Sequence, residues 1–298
     1  MLTHQNPSGA PPERVVVIGA GGFVGGAVST RARVRGMDVL GLARADLDLL
    51  TPGADELLAR LLHPGDAVVA AAAQAPCRDV DMLVDNLKLV RTMVTALSRV
   101  TVAHVVNISS DAVYADGPIP LDETSPAAPE TLHGAMHLAR EIAFRTGLLS
   151  PLAILRPSLV YGAADPHNGY GPNRFRRLAA EGKDIVLFGD GEERRDHVLV
   201  DDLAELVCRV LAQRSTGTLN IATGEVHSFR DIADRVATMA PHRVAVGPSP
   251  RQGPMPHNGY RPFDIALCRA AFPDFAYTAL ADGLASAQRA AETPREST

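Results

Sequence analysis

The chain has 298 residues, 46% of them hydrophobic and 21% charged, with a formal net charge of -5 and a pI near 6.1. That is enough apolar material for a full core in one large or two smaller α/β domains, while the acidic balance excludes nucleic acid as the main partner, since backbone phosphates demand a basic face. Cys77, Cys208 and Cys268 stand far apart without disulfide or zinc-site spacing, and no uncharged apolar run is long enough to cross a bilayer, so a cytoplasmic protein with no membrane partner is expected.

Residues 1–13 read as a disordered tail, as do 293–298. The β-branched run RVVVI, Arg14 to Ile18, enters a glycine cluster and then a periodic stretch from Phe23 to Arg35, the pattern of strand, turn and helix. Val39 to Leu42 is a second strand. A helix over Ala54 to Leu62 precedes a third strand, Ala67 to Ala73, and a further helix runs from Val80 to Ser98. Val102 to Ile108 and Leu152 to Leu155 follow as strands, with the helical segment LHGAMHLARE between them. Strands that alternate with helices and are apolar on both faces predict an α/β domain over 14–156 with a doubly wound parallel sheet. After Arg156 the texture changes to Pro, Gly, Asn and His, and 157–292 reads mainly as a smaller lobe interleaved with the first.

GAGGFVG places Gly19, Gly22 and Gly25 between a strand and a helix. Glycines there permit a tight turn and let the backbone approach a pyrophosphate resting on the helix N-terminus, the arrangement of a dinucleotide site. The expected cofactor-binding set is these glycines with Phe23 and Val24, Ala71 and Ala72 after the third strand, and Arg44, Asp48 and Leu49 after the second. The acidic residue usual at the second strand's end is missing. Arg44 stands about there, and a guanidinium pairs with a 2′-phosphate. NAD or NADP is the expected cofactor, with Arg44 tilting toward NADP; a plain surface arginine is the other reading.

Taken together, GAGGFVG, NISSDAVY, PLDETSPAAPE, LRPSLVYG, GYGPNRF, RRDHVLVDDLA and FDIALCRAAFPDFAYTALADGL resemble the extended short-chain dehydrogenase/reductase family of nucleotide-sugar epimerases, dehydratases and 4-keto reductases. The resemblance spans nearly the whole chain. It implies a Rossmann-like doubly wound parallel sheet with a smaller interleaved C-terminal substrate lobe, a nucleotide-diphosphate sugar as the small-molecule partner, and a homodimer formed through a helix bundle. In that family a serine or threonine and a YxxxK pair handle the sugar hydroxyl and the nicotinamide ribose. The resemblance puts Ser110 at the hydroxyl position and His133 and His137 at the tyrosine and lysine positions, with His137 also toward the cofactor. The i, i+4 spacing is kept; both residue types are replaced.

Three readings of this pair stay open. His133 serves as acid or base with Ser110 sharing the hydrogen bond, since imidazole titrates near neutral pH. Alternatively the two histidines are half of a zinc site, although HGAMH lacks the glutamate of HExxH; no metal is expected. Or the pocket binds a nucleotide or nucleotide sugar without turnover. Asp111 joins the candidate catalytic set, but the Asp-Glu pair that the resemblance assigns to dehydratases is Asp111-Ala112 here, so water elimination lacks its base. An epimerase is the first expectation and a 4-keto-sugar reductase the alternative.

On the substrate side, Asn173, Arg174 and Arg195 occupy positions the resemblance assigns to gripping a nucleotide diphosphate. Ion pairing of Arg195 with Asp201 or Asp202 competes with that role. Asn86, expected at the start of a helix facing the cofactor side, and Tyr114 are further pocket candidates, Tyr114 and Tyr161 candidate proton donors, and His167, Asn168 and Tyr170 sit in a loop that could cover the sugar.

Overall fold

A computed structural model describes residues 2–292. The elements in chain order are β1 (Thr3–His4), β2 (Arg14–Ile18), α1 (Phe23–Val34), β3 (Val39–Leu42), α2 (Ala54–Leu61), β4 (Asp66–Ala70), α3 (Val80–Arg99), β5 (His104–Ile108), α4 (Leu132–Gly147), β6 (Leu152–Pro157), β7 (Leu159–Tyr161), α5 (Pro172–Ala180), β8 (Ile185–Phe188), β9 (Arg194–Leu199), α6 (Val200–Ala212), β10 (Ser215–Ile221), β11 (Val226–Ser228), α7 (Phe229–Met239), β12 (Val246–Ser249), β13 (Tyr260–Arg261), α8 (Ala266–Ala271) and α9 (Leu280–Glu292).

Among the described residues, seven strands form the main sheet in the order β1-β10-β6-β5-β4-β2-β3. All neighbours are parallel except β1, which runs antiparallel to β10. Period-two geometry sends Val15 and Val17 of β2 to one face and Val16 and Ile18 to the other. The first face packs against Val28 and Ala32 of α1 and Leu203, Leu206 and Val207 of α6. The second packs against Leu58 of α2, Leu89 and Met93 of α3 and Phe144 of α4. This is the doubly wound α/β sheet that the apolar strands require, because each strand needs cover on both sides.

The smaller lobe has its own core, in which Phe175 of α5, Ile185 and Leu187 of β8, Phe229 and Ile232 of α7 and Leu284 of α9 meet. In it β9 pairs with β7, β11 and β13, and β8 pairs with β12. The chain returns to the main layer through α6 and β10 between visits to this lobe, so the two parts are interwoven.

Three expectations need correction. Residues 3–4 are not a tail: Thr3 and His4 pair with Thr216 and Ser215, His4 Nδ1 lies 2.7 Å from Ser215 Oγ, and Leu2 is buried. The added strand covers an otherwise open sheet edge; two polar residues are too short a run to show as a strand in sequence. The third strand ends at Ala70, and Ala71 to Ala73 form irregular backbone above it. Asn86 lies within α3, not at its start. The expected tail at 293–298 lies outside the described residues.

Candidate active site

The glycine turn is shaped by close approach. A Cβ on Gly25 would lie 2.1 Å from the Gly19 carbonyl oxygen, and one on Gly19, at φ +95°, would lie 2.6 Å from the Ala72 amide nitrogen. Only hydrogen fits at either place. Gly22 caps α1 without a side-chain hydrogen bond, and the first turn holds no acidic residue, so the amides of the helix N-terminus are left for an anion. Phe23 and Val24 are half-buried in that turn, with the Phe23 ring reaching Gly162 in the second half of the chain. Ala71, whose N–H donates to Ile18 O, and Ala72 wall the turn from the β4 side. This donor set and cradle fit the pyrophosphate of a dinucleotide.

The adenosine end is less committed. Arg44 is exposed and its Nε donates to Asp48 Oδ2 at 3.0 Å. The Asp48 carboxylate also accepts from Leu50 N–H, which holds its acidity in the strong direction. Leu49 turns its side chain into the core, with Leu42 and Leu58.

Ser110, Asp111, His133 and His137 come together because α4 presses its first turn onto the turn at Asp111–Val113. A Cβ on Gly134 would lie 2.1 Å from the Ala112 carbonyl oxygen, so glycine alone permits this approach. Thr131 caps the helix by accepting from Gly134 N–H. The His133 and His137 rings meet edge to face, centroids 4.7 Å apart. His133 Nδ1 accepts the Cys77 N–H at 3.4 Å, while His137 Nδ1 is buried without a partner. Burial lowers the pKa of His133, opposed by the nearby Asp111 charge, and lowers that of His137 well below the usual histidine value, helped by His133 and Arg140. Both rings are neutral at neutral pH.

Ser110 Oγ accepts from Ala112 N–H and donates to Asp111 Oδ1 at 3.4 Å. The Asp111 carboxylate is buried and bound by Arg261 Nε at 3.1 Å, and Arg261 also reaches Asp116, which holds the His257 ring. A carboxylate engaged this way accepts the Ser110 hydroxyl, is gripped by a buried guanidinium and lies close to His133. Among the described residues no group of three or more His, Cys, Asp or Glu side chains stands together as a metal ion would require.

Several expected pocket residues are occupied by the scaffold. Asn86 binds Gln74 through both its amide oxygen and nitrogen, and also Met82 O, which fixes the loop after β4 instead of a sugar. Tyr114 is buried, donates its hydroxyl to Asn220 Oδ1 at 2.7 Å, and is pushed up to about 12, chiefly by burial. Its hydroxyl hydrogen is committed to Asn220. Burial also raises the Tyr161 phenol, with Asp202 and Asp201 adding to the effect, and that ring packs against Gly283. Tyr170 stacks on Phe188 and accepts its N–H, making it part of the small-lobe core edge. Asn168 holds Arg177, and His167 is exposed at the site's rim.

Asn173 Oδ1 accepts from Gly162 N–H, and Arg174 on the next position is exposed. Arg195 pairs with Glu193 at 3.1 Å, not with Asp201 or Asp202; Asp202 instead binds Thr278. Sequence reasoning passed over Cys77, Arg140, Glu141, Arg156 and Arg261. The signal for two of them was available: Arg156 interrupts the apolar strand LAILRP, and Glu141 stands one helical turn beyond His137.

Comparison with known proteins gives the family and the fold. Residues 15–222 match the model of the NAD dependent epimerase/dehydratase family. A dTDP-6-deoxy-L-talose 4-dehydrogenase (NAD(P)(+)) of Kitasatospora kifunensis is 27% identical over 286 residues, 87% of this chain and 89% of that protein. A UDP-glucose 4-epimerase of Mycolicibacterium smegmatis is 27% identical over 258 residues, 75% of this chain and 82% of that protein. Among solved structures, the UDP-glucose 4-epimerase of Thermus thermophilus in complex with NAD superposes with a TM-score of 0.78, covering 93% of this chain and 98% of that one at 23% identity, which is a likeness of fold.

Proposed function

Because the chain belongs to the NAD-dependent epimerase/dehydratase family, we propose that it is a nucleotide-sugar oxidoreductase that reduces a keto group of a nucleotide-diphosphate sugar, with His133 in the place of the usual phenol. The observation that carries this reading is the Cys77 N–H donating to His133 Nδ1. A neutral imidazole whose Nδ1 accepts carries its hydrogen on Nε2. In that tautomer the exposed nitrogen donates and has no lone pair to take a proton.

Epimerisation, the first expectation from sequence, begins with removal of a hydroxyl proton; carbonyl reduction begins with donation to the carbonyl oxygen. The neutral ring suits the second task, since an imidazole N–H can polarise a carbonyl. A bound dihydronicotinamide supplies the hydride. His133 Nε2–H holds the sugar oxygen and stabilises its developing charge, Ser110 Oγ shares that oxygen, and solvent provides the proton that completes the alcohol. The two relatives are named for a 4-dehydrogenase and a 4-epimerase, which supports the sugar's C4 as the reacting position. NAD(H) is the favoured cofactor, since Arg44 is already engaged by Asp48.

A homodimer is proposed through α3 and α4. Val80, Val84 and Leu87 line one exposed stripe of α3, and Ile142 is exposed on the neighbouring α4; light scattering on the purified chain reads the mass.

The activity test mixes the protein with NADH and nucleotide-diphosphate 4-keto sugars and follows NADH loss. Turnover is expected, with His133→Ala lowering it by about 10², and two-bond 1H–15N correlations of histidine-labelled protein are expected to show the Nε2–H form at His133. Interconversion of sugar epimers without net cofactor consumption, or an Nδ1–H ring, would overturn the reductase reading in favour of epimerisation. A wild type that binds both ligands and turns over neither is a binding protein.

A further inference from the structure

Arg140 is buried to 1% exposure on α4, one turn beyond His137. Its Nη2 donates to Ala70 O and its Nη1 to Ala72 O, both at 2.6 Å, while Nε donates to Asn107 Oδ1. The guanidinium also lies over the Phe144 ring. None of these partners carries a charge. The comparably buried Arg156 and Arg261 are each paired with a carboxylate, Glu141 in one case and Asp111 in the other. An unpaired guanidinium in the interior is costly to desolvate, and neutral acceptors only partly offset that cost. Burial lowers its pKa to about 10, so it remains a cation at neutral pH.

A single atom change in a neighbour would remove that cost. Asn107 accepts from Arg140 through Oδ1, and its own Nδ2 is buried without any partner. An aspartate of the same shape would keep the accepted hydrogen bond, delete the orphaned donor and neutralise the guanidinium. The chain carries the amide instead, and the charge is left uncompensated.

The position of that charge is informative. Ala72, whose carbonyl Arg140 holds, is the residue against which the Gly19 turn closes, and Ala71 N–H bonds Ile18 O at the end of β2. The segment Ala70 to Ala72 therefore separates the guanidinium from the anion-binding N-terminus of α1. We infer that Arg140 is a buried positioning residue for the cofactor, supplying from beneath the Ala70–Ala72 segment a positive charge whose missing counter-ion is the dinucleotide's pyrophosphate. The inference rests on the dinucleotide reading of the glycine turn.

At an effective dielectric of about 20, one unit charge acting across a single backbone segment alters anion affinity on the order of tenfold. The test is calorimetric binding of NAD, ADP and adenosine to the wild type and to Asn107→Asp, with Arg140→Lys as the charge-conserving control. Asn107→Asp is expected to raise the denaturation midpoint, to weaken NAD and ADP on the order of tenfold, and to leave adenosine within about twofold. Arg140→Lys is expected to keep most of the preference for ADP over adenosine. An unchanged ADP-to-adenosine ratio in Asn107→Asp, or its collapse in Arg140→Lys, would overturn the inference. Binding of none of the three probes by the wild type would overturn the dinucleotide reading itself, and this inference with it.

Discussion

Two successive stretches of α4, His133 to His137 and Arg140 to Glu141, bring polar side chains into the interior and treat them in opposite ways. In the first, His133 has one long hydrogen bond and His137 Nδ1 has none. In the second, Glu141 receives Ser109 Oγ, Arg156 Nε and Arg156 Nη2 within 2.8 Å, and Arg140 is held by two carbonyls and an amide. A buried polar group without partners is costly, whereas the saturated groups one turn on hold the helix to β4, β5 and β6. Satisfaction of hydrogen bonds separates the histidine stretch from the anchoring one.

The largest effect expected from breaking this contrast is at the anchor. Glu141→Leu strands the buried Arg156 charge and is expected to cost about 3–5 kcal/mol in chemical denaturation; Glu141→Leu combined with Arg156→Met should recover most of it. A small loss in the single variant would mean that the Arg140–Glu141 turn does not anchor the helix.

Acidification probes the other turn. His133 and His137 have folded-state pKa values below the usual 6.5, mainly through burial. The unfolded chain therefore binds protons first as pH falls, so the stability these rings contribute is complete above about pH 6.5 and is lost progressively below it. His104, lowered by burial to about 4, acts in the same direction and accounts for about 3 kcal/mol of loss by pH 4. His137→Asn should flatten only the share belonging to α4. If wild type and variant lose stability in parallel from pH 7 to 4, the His137 ring is not held neutral by burial.

How much of this was legible in the sequence follows from the range of each interaction. The glycine turn, the parallel strands and the HxxxH spacing are local patterns, and GAGGFVG after RVVVI specifies its own geometry through residues within a few positions. The anchors are pairs distant in sequence: Arg261 meets Asp111 from 150 residues away, and Arg140 meets Ala70 from 70. Tyr114 and Asn86 were plausible pocket residues by residue type, yet the partners that occupy them, Asn220 and Gln74, became apparent only once the chain was folded. Cys77 was read only as a thiol, whereas its contribution to the site is the backbone N–H that any residue except proline could supply.

The smallest expected effect links the two turns. A lysine at position 137, as the family pattern has it, would bring a second cation toward Arg140, whose charge already disfavours protonation of the native ring. Like charges in a buried setting repel by an amount that a counter-ion removes. His137→Lys should therefore destabilise the wild type by about 1–2 kcal/mol more than it destabilises Asn107→Asp, in which the guanidinium has acquired a carboxylate partner. A double-mutant cycle in urea measures that difference directly. Equal costs in the two backgrounds would mean that position 137 lies outside the field of Arg140.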